Sequence, residues 1–212
     1  MRYARCRMLF GRDYARIEKA SVLLLGVGGV GGYCLDCLYR SGVGRITIVD
    51  FDTFEESNRN RQIGSDMVGA VKVWHLQRLY PGIEAIEAKV TRAWCERFDF
   101  SPYDLVIDAI DDIRAKVALA HHAGQKLISS MGGAKRIDPT QIATASVWKS
   151  HSDPLARTFR YELKKSGFGG DFPVVYSTEP PRCKELGSFV GVTGAFGFAL
   201  CSLAVRRMLE PS

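Results

Sequence analysis

The chain contains no second CxxC pair, no internal repeat and no low-complexity linker. Cys34 and Cys37 form the one CxxC, so a zinc site built from two such pairs is excluded. Both fall in an expected helix, where i and i+3 share a face, and packing is the simpler reading. The remaining cysteines are scattered, which fits a reduced, cytoplasmic setting. His121 and His122 are adjacent, so on a helix they point apart and make a poor metal pair. The arginine-rich start, Met1–Arg16, lacks the apolar core of a signal peptide. With no repeat or linker, residues 1–212 are expected to form a single domain.

Charge adds a weak preference. Lys and Arg number 29 against 23 Asp and Glu, giving +6 at pH 7. That balance suits an anionic ligand such as a nucleotide or RNA, without demanding either. Ser188–Val205 carries no charge and reaches the length of a membrane span. It also contains Gly191, Gly194 and Gly197, and a final helix packed on a sheet reads the same way. A buried helix is the favoured reading, with membrane association as the minority one.

What the chain does contain centres on Leu23–Gly31, read LLLGVGGVG. An apolar run ends in glycines and a helix-compatible segment follows at once. A strand delivering the chain to such a turn lets a phosphate approach the backbone at a helix N-terminus. Gly26, Gly28 and Gly31 satisfy GxGxxG, with Gly29 as an extra glycine.

Around this turn the pattern alternates. Met1–Lys19 reads as an amphipathic, basic arm, followed by a strand at Ser21–Leu25 and a helix at Val30–Ser41. Arg45–Val49 is a strand, Thr53–Gly64 a polar loop, Asp66–Tyr80 a helix and Ile83–Val90 a strand. Strands at Asp104–Ile110 and Lys126–Ser130 flank a helix at Asp112–Gly124. Gln141–Trp148 is strand-like, Asp153-Pro154 opens a helix running to about Lys165, and Val174–Thr178 is a short strand. This alternation predicts an α/β fold with a doubly wound, mainly parallel Rossmann-like sheet. Residues 1–20 form its arm and residues 149–212 a C-terminal extension.

Asp50 ends the second strand at about the 20-residue offset expected of a ribose-binding carboxylate. That serves a dinucleotide as well as ATP. Arg61 and Lys72 flank the loop that follows, where two cations could neutralise a phosphate chain. Asp111 lies just past the DLVIDAI strand, and a carboxylate beside polyphosphate is what magnesium requires. An NAD-dependent oxidoreductase accounts for the glycines and Asp50 but leaves Arg61, Lys72 and Asp111 without a role.

GVGGVG, VDFD, NRNRQ, a lysine in the following helix and DAIDD together resemble the ubiquitin-activating-enzyme-like (ThiF/MoeB-type) adenylating family. The resemblance implies ATP and Mg2+ as cofactors. It implies a nucleotide site of Gly26, Gly28, Gly29, Gly31, Asp50, Asp52, Asn60, Arg61, Lys72 and Asp111, with Asp111 supporting the metal. It further implies a homodimer in which Arg5, from RYARC, enters the partner subunit's site. Arg5, Arg61, Lys72 and Asp111 are then the catalytic set.

GGAKRIDPTQI (Gly132–Ile142), KSHSDPLARTFRYELKKSG (Lys149–Gly167) and VVYSTEPP (Val174–Pro181) resemble one branch, the tRNA threonylcarbamoyladenosine dehydratases. That branch implies ATP-dependent activation of the threonylcarbamoyl carboxylate on tRNA, then intramolecular cyclisation with loss of water. The alternative is adenylation of a sulfur-carrier or ubiquitin-like C-terminus. Two departures stand out: Asp112 replaces the asparagine common in carrier activators, and the segment from Thr178 to Gly187 is short. Cys183 is the nearest counterpart of a relatives' cysteine tied to sulfur transfer or catalysis, but in so short a loop an ordinary loop thiol is the favoured reading; a sulfur-transfer protein is a further possible partner. Lys135, Arg136 and a stripe of Arg157, Arg160 and Lys164, with Lys165 beside it, are candidate RNA contacts.

Overall fold

Every residue of the first strand, β1 (Ser21–Leu25), is buried, as a strand covered on both faces must be. The computed structural model describes residues 2–210; Met1, which begins the expected arm, lies outside them. Six further strands join β1: β2 (Arg45–Asp50), β3 (Glu84–Glu87), β4 (Leu105–Asp108), β5 (Leu127–Ser130), β6 (Ile142–Ser146) and β7 (Pro173–Ser177). Their order is β3-β2-β1-β4-β5-β7-β6. All neighbours run parallel except β6, which pairs antiparallel with β7 through Ala143–Tyr176 and Ala145–Val174. The expected mainly parallel α/β sheet is what forms.

Among the described residues eight α-helices surround it: α1 (Ala4–Phe10), α2 (Tyr14–Lys19), α3 (Gly31–Ser41), α4 (Lys72–Leu79), α5 (Arg92–Cys95), α6 (Ile113–Ala123), α7 (Pro154–Lys165) and α8 (Val190–Leu209). Alternation along β1 sorts them into two layers. Val22 and Leu24 join Leu35, Leu38, Leu76, Phe196 and Leu200 on one face. Leu23 and Leu25 join Leu119, Phe159 and Leu163 on the other.

Several boundaries differ from the sequence pattern. The helix expected from Asp66 starts only at Lys72, because Thr53 bridges Val71 and Gly69 turns the chain at φ +85°. Backbone bonds from Phe54 to Ala70 and from Gly69 back to Phe54 hold that segment as a loop. The strand expected over Ile83–Val90 pairs only across Glu84–Glu87. The short α5 has little periodicity to betray it; Thr91 caps it by accepting the Trp94 N–H at 3.2 Å.

The apolar C-terminal segment is α8, long and apolar enough to cross a membrane, yet 56% of its most apolar window is buried in the fold. It crosses α3 where Gly197 has no side chain. A Cβ there would sit 2.5 Å from the Val30 carbonyl oxygen and 2.8 Å from the Cys34 nitrogen. Glycine therefore lets two helix backbones meet. Cys34 is fully buried in this packing, as the helix-packing reading of the CxxC expects.

Candidate functional site

The strand order reverses between β1 and β4, and ligands in open α/β sheets bind at the carboxyl edge beside such a switch point. A cavity of about 560 Å³ lies there. The chain turns that leave β1, β2, β4 and β5 all contribute to its wall, through Gly28, Asp50, Asp111 and Gly132 among others.

Gly26 is required twice over. Its φ is +85°, and a Cβ would stand 2.9 Å from the Ala109 carbonyl oxygen, between β1 and the turn after β4. Gly31 lies outside the cavity, where a Cβ would collide with the Gly26 carbonyl oxygen, so its role is helix–turn packing. Gly28 and Gly29 line the cavity. Val30, at the N-cap of α3, supplies no side-chain cap. The Gly32 N–H already donates to the Gly28 carbonyl at 2.9 Å and the Cys34 N–H to the Val30 carbonyl at 3.1 Å, so what α3 offers an anion at this wall is chiefly the positive end of its dipole.

The Asp50 carboxylate organises this turn. One oxygen accepts the Val27 N–H at 2.8 Å and the other the Asp52 N–H at 2.9 Å. A carboxylate has about four lone-pair sites, so capacity remains for a ribose hydroxyl. Lys72, the first residue of α4, is buried, and its ammonium lies 3.0 Å from an Asp52 oxygen at the cavity wall. Asp52 is half exposed.

Arg61 lines the cavity, and its guanidinium is steadied by the Ser57 carbonyl at 2.7 Å and Asn60 Oδ1 at 2.9 Å. Gly29 leaves it room: a Cβ there would come within 3.2 Å of Arg61 Cγ. Asn60 itself does not line the cavity; its amide donates to the Ser188 carbonyl at 3.1 Å. Gln62, the last residue of NRNRQ and not among the expected site residues, has its Oε1 buried in this wall with no hydrogen-bond partner. An orphaned acceptor beside a glycine cradle fits a ligand that brings hydroxyl or amino donors.

Asp111 is exposed and lines the same cavity. Among the described residues no three His, Cys, Asp or Glu gather to hold a metal. A lone carboxylate facing a phosphate cradle fits Mg2+, which takes one or two carboxylates and completes its shell with phosphate and water. Asp112 caps α6 by accepting the Ala115 N–H at 2.8 Å, and so spends its charge on the helix N-terminus.

Beneath Asp111 lies a second feature that the motifs did not reveal. Lys116 and Asp108, both fully buried, pair at 2.8 Å. Lys116 also donates to Ser129 Oγ and the Ser130 carbonyl, and Asp108 accepts from Ser129 and the Ile110 N–H. The network ties the end of β4 to that of β5. Its sequence signal is an aspartate inside an apolar strand and a lysine inside an alanine-rich helix.

Two candidate positions behave otherwise than their residue types suggest. Arg136 is buried, pairs with buried Asp153 at 3.1 Å and donates to the carbonyls of Gly132 and Glu179. As an RNA contact it is corrected: it clamps the turn after β5 to the start of α7. Burial pushes the Asp153 carboxyl up, an effect opposed by the Ala156 N–H and the Arg136 guanidinium. Arg5 is exposed on α1 and lies outside the cavity. Neighbouring Cys6 reaches the Arg40 carbonyl, at the far end of α3 from the glycine turn.

The chain as a whole is similar to known proteins. The ThiF family matches residues 3–210. A tRNA threonylcarbamoyladenosine dehydratase of Bacillus subtilis is 35% identical over 192 residues, covering 84% of this chain and 75% of the relative. One from Escherichia coli is 30% identical, covering 98% of this chain and 93% of the relative. The crystal structure of the E. coli dehydratase in complex with ATP superimposes with a TM-score of 0.90 at 32% identity, covering 98% and 93% of the two chains.

Proposed function

Because the chain belongs to the ThiF family, in its tRNA threonylcarbamoyladenosine dehydratase branch, we propose that it uses ATP to cyclise threonylcarbamoyladenosine in tRNA. The observation that carries this reading is one cavity joining Gly28 and Gly29 to Arg61, Lys72 and Asp111. The chemistry follows from charge. A carboxylate is a poor acyl donor because oxide is a poor leaving group. Attack of the substrate carboxylate on the α-phosphorus forms the acyl-adenylate and releases pyrophosphate. Intramolecular attack on the activated carbonyl then closes the ring and releases AMP, with net loss of water from the base.

Each residue has a part in that sequence. Gly28 and Gly29 admit the phosphates to the α3 N-terminus, and Asp50 holds the ribose while it orders the turn. Arg61 and Lys72 offset charge developing on the phosphates. Mg2+ held by Asp111 and the phosphates supplies further charge neutralisation when bound. Ring closure is intramolecular, so proximity provides much of its rate.

Further parts of the reading rest on the family resemblance. We infer a homodimer, since Arg5 cannot serve its own cavity from the far end of α3. We place the reaction in the cytoplasm and read residues 1–212 as one adenylating unit. Exposed Cys183, whose thiol meets the Glu185 carbonyl, is the group a sulfur-transfer protein would engage.

The test incubates the protein with ATP, Mg2+ and tRNA bearing threonylcarbamoyladenosine, followed by nucleoside mass analysis. Loss of one water that depends on ATP is the expected result. An unchanged nucleoside, with pyrophosphate exchange driven by a carrier-protein C-terminus, would replace this reading with carrier activation.

A further inference from the structure

Helix α7 has two unlike faces. Ala156, Phe159 and Leu163 are buried in the core, while Arg157, Tyr161, Lys164 and Lys165 are exposed. The stripe expected from spacing is therefore redrawn. Arg160 is half-buried and donates to Ser150 Oγ at 2.7 Å. Tyr161, 63% exposed, stands among the cations instead, four residues beyond Arg157 and three or four before the lysines.

The N-terminal turn of α7 lies at the cavity, and the basic face runs away from it along the helix. Leu155, in the first turn of α7, lines the cavity wall. Asp153 caps the helix through the Ala156 N–H at 2.9 Å and is held by Arg136, which also grips the Gly132 carbonyl. The helix is thereby fixed to the turn that forms the cavity rim. From Arg157 to Lys165 it runs about 12 Å at 1.5 Å per residue, the scale of a few nucleotides.

We propose that this face of α7 grips the single-stranded loop of the tRNA substrate beside the modified adenosine. Arg157, Lys164 and Lys165 neutralise backbone phosphates, and the Tyr161 ring stacks on an unpaired base. Basic groups of the N-terminal arm lie at the other end of α3, away from the reacting group. A lipid surface fits less well, because the apolar side of α7 is already buried and has nothing to insert. The proposal rests on the tRNA reaction proposed above and adds where the RNA lies.

The experiment measures binding of labelled substrate tRNA across a salt series, with ATP-induced thermal stabilisation as the check on fold and nucleotide site. Arg157→Ala/Lys164→Ala/Lys165→Ala should weaken binding by about tenfold or more and reduce the log–log salt slope by about 2, at roughly 0.7 per single-strand phosphate. Tyr161→Ala should weaken binding between about fivefold and a hundredfold with the slope unchanged, and Tyr161→Phe should restore it, because stacking needs only the ring. Wild-type affinity and slope in the triple variant would overturn the proposal. So would parallel losses towards tRNA and vesicles of anionic lipid. A wild-type protein that neither binds nor dehydrates tRNA would overturn the dehydratase reading itself. An active wild type with unaffected variants removes this surface alone.

Discussion

The ammonium of Lys116 lies 2.8 Å from the carboxylate of Asp108, and neither side chain is exposed to solvent. The pair sits between β4, β5 and α7, with the Phe159 ring centroid 5.8 Å from the ammonium. Ion pairs this deep have little net value over an apolar replacement, yet breaking one strands a buried charge. Here the pair also holds both turns that carry Asp111 and Gly132.

Lys116→Met should cost about 3–5 kcal/mol in stability, because Asp108 loses its cation without regaining water. Replacing both partners with apolar residues should recover much of that loss while leaving the turns less ordered. Urea unfolding of the single and double variants checks this. A single variant as stable as wild type contradicts the network.

Lys72→Ala and Asp111→Ala should each lower ATP-dependent turnover by about a hundredfold or more, the usual effect of removing a charge that stabilises the transition state. Both should stay folded. Asp111 is exposed, and Asp52, which loses Lys72, is half in solvent. Steady-state rates alongside melting temperatures separate the two effects; near-normal turnover in either variant removes that residue from the site.

Gly197→Ala should destabilise by about 1–3 kcal/mol, as overpacking does, by driving a Cβ into the α3 backbone. At this chain length each kcal/mol lowers Tm by roughly 2–4 °C. Gly169→Ala is the control, since a Cβ there meets nothing within 4 Å. Equal melting points would mean that α8 is not seated on α3 in solution.

Thiol reactivity should follow burial. Burial pushes the Cys95 thiol up to about 12, so at pH 8 only about one molecule in ten thousand carries its thiolate. Burial also raises Cys34, while a hydrogen bond with Cys37 and burial raise Cys201. Iodoacetamide at pH 8 should therefore modify exposed Cys183 in the native protein and reach Cys34, Cys95 and Cys201 only after unfolding. Peptide mass mapping of native and urea-treated samples decides the matter; native labelling of Cys95 as fast as Cys183 would contradict the packing.

The sequence by itself determined the features whose causes are local. An apolar run into glycines specified β1, the turn and α3, because Gly26 must take positive φ and the turn must leave room for a ligand. Alternating periodicity specified the parallel sheet, whose geometry brings strand ends together. For that reason the sequence alone assigns Gly28, Asp50, Arg61, Lys72 and Asp111 to one edge.

Tertiary structure alone decided where charges find their partners. Arg136 reads as a solvated base beside a glycine turn until Asp153 and the Glu179 carbonyl bury it. Lys116 lies in no motif, and Gln62 closes NRNRQ without a role of its own there; their importance lies in a carboxylate from another strand and in a missing hydrogen-bond donor. The antiparallel β6–β7 pair and the late start of α4 depend likewise on distant backbone partners. Backbone conformation and periodicity are written within a few residues of chain. Burial and pairing of charge are properties of surfaces that come together only on folding.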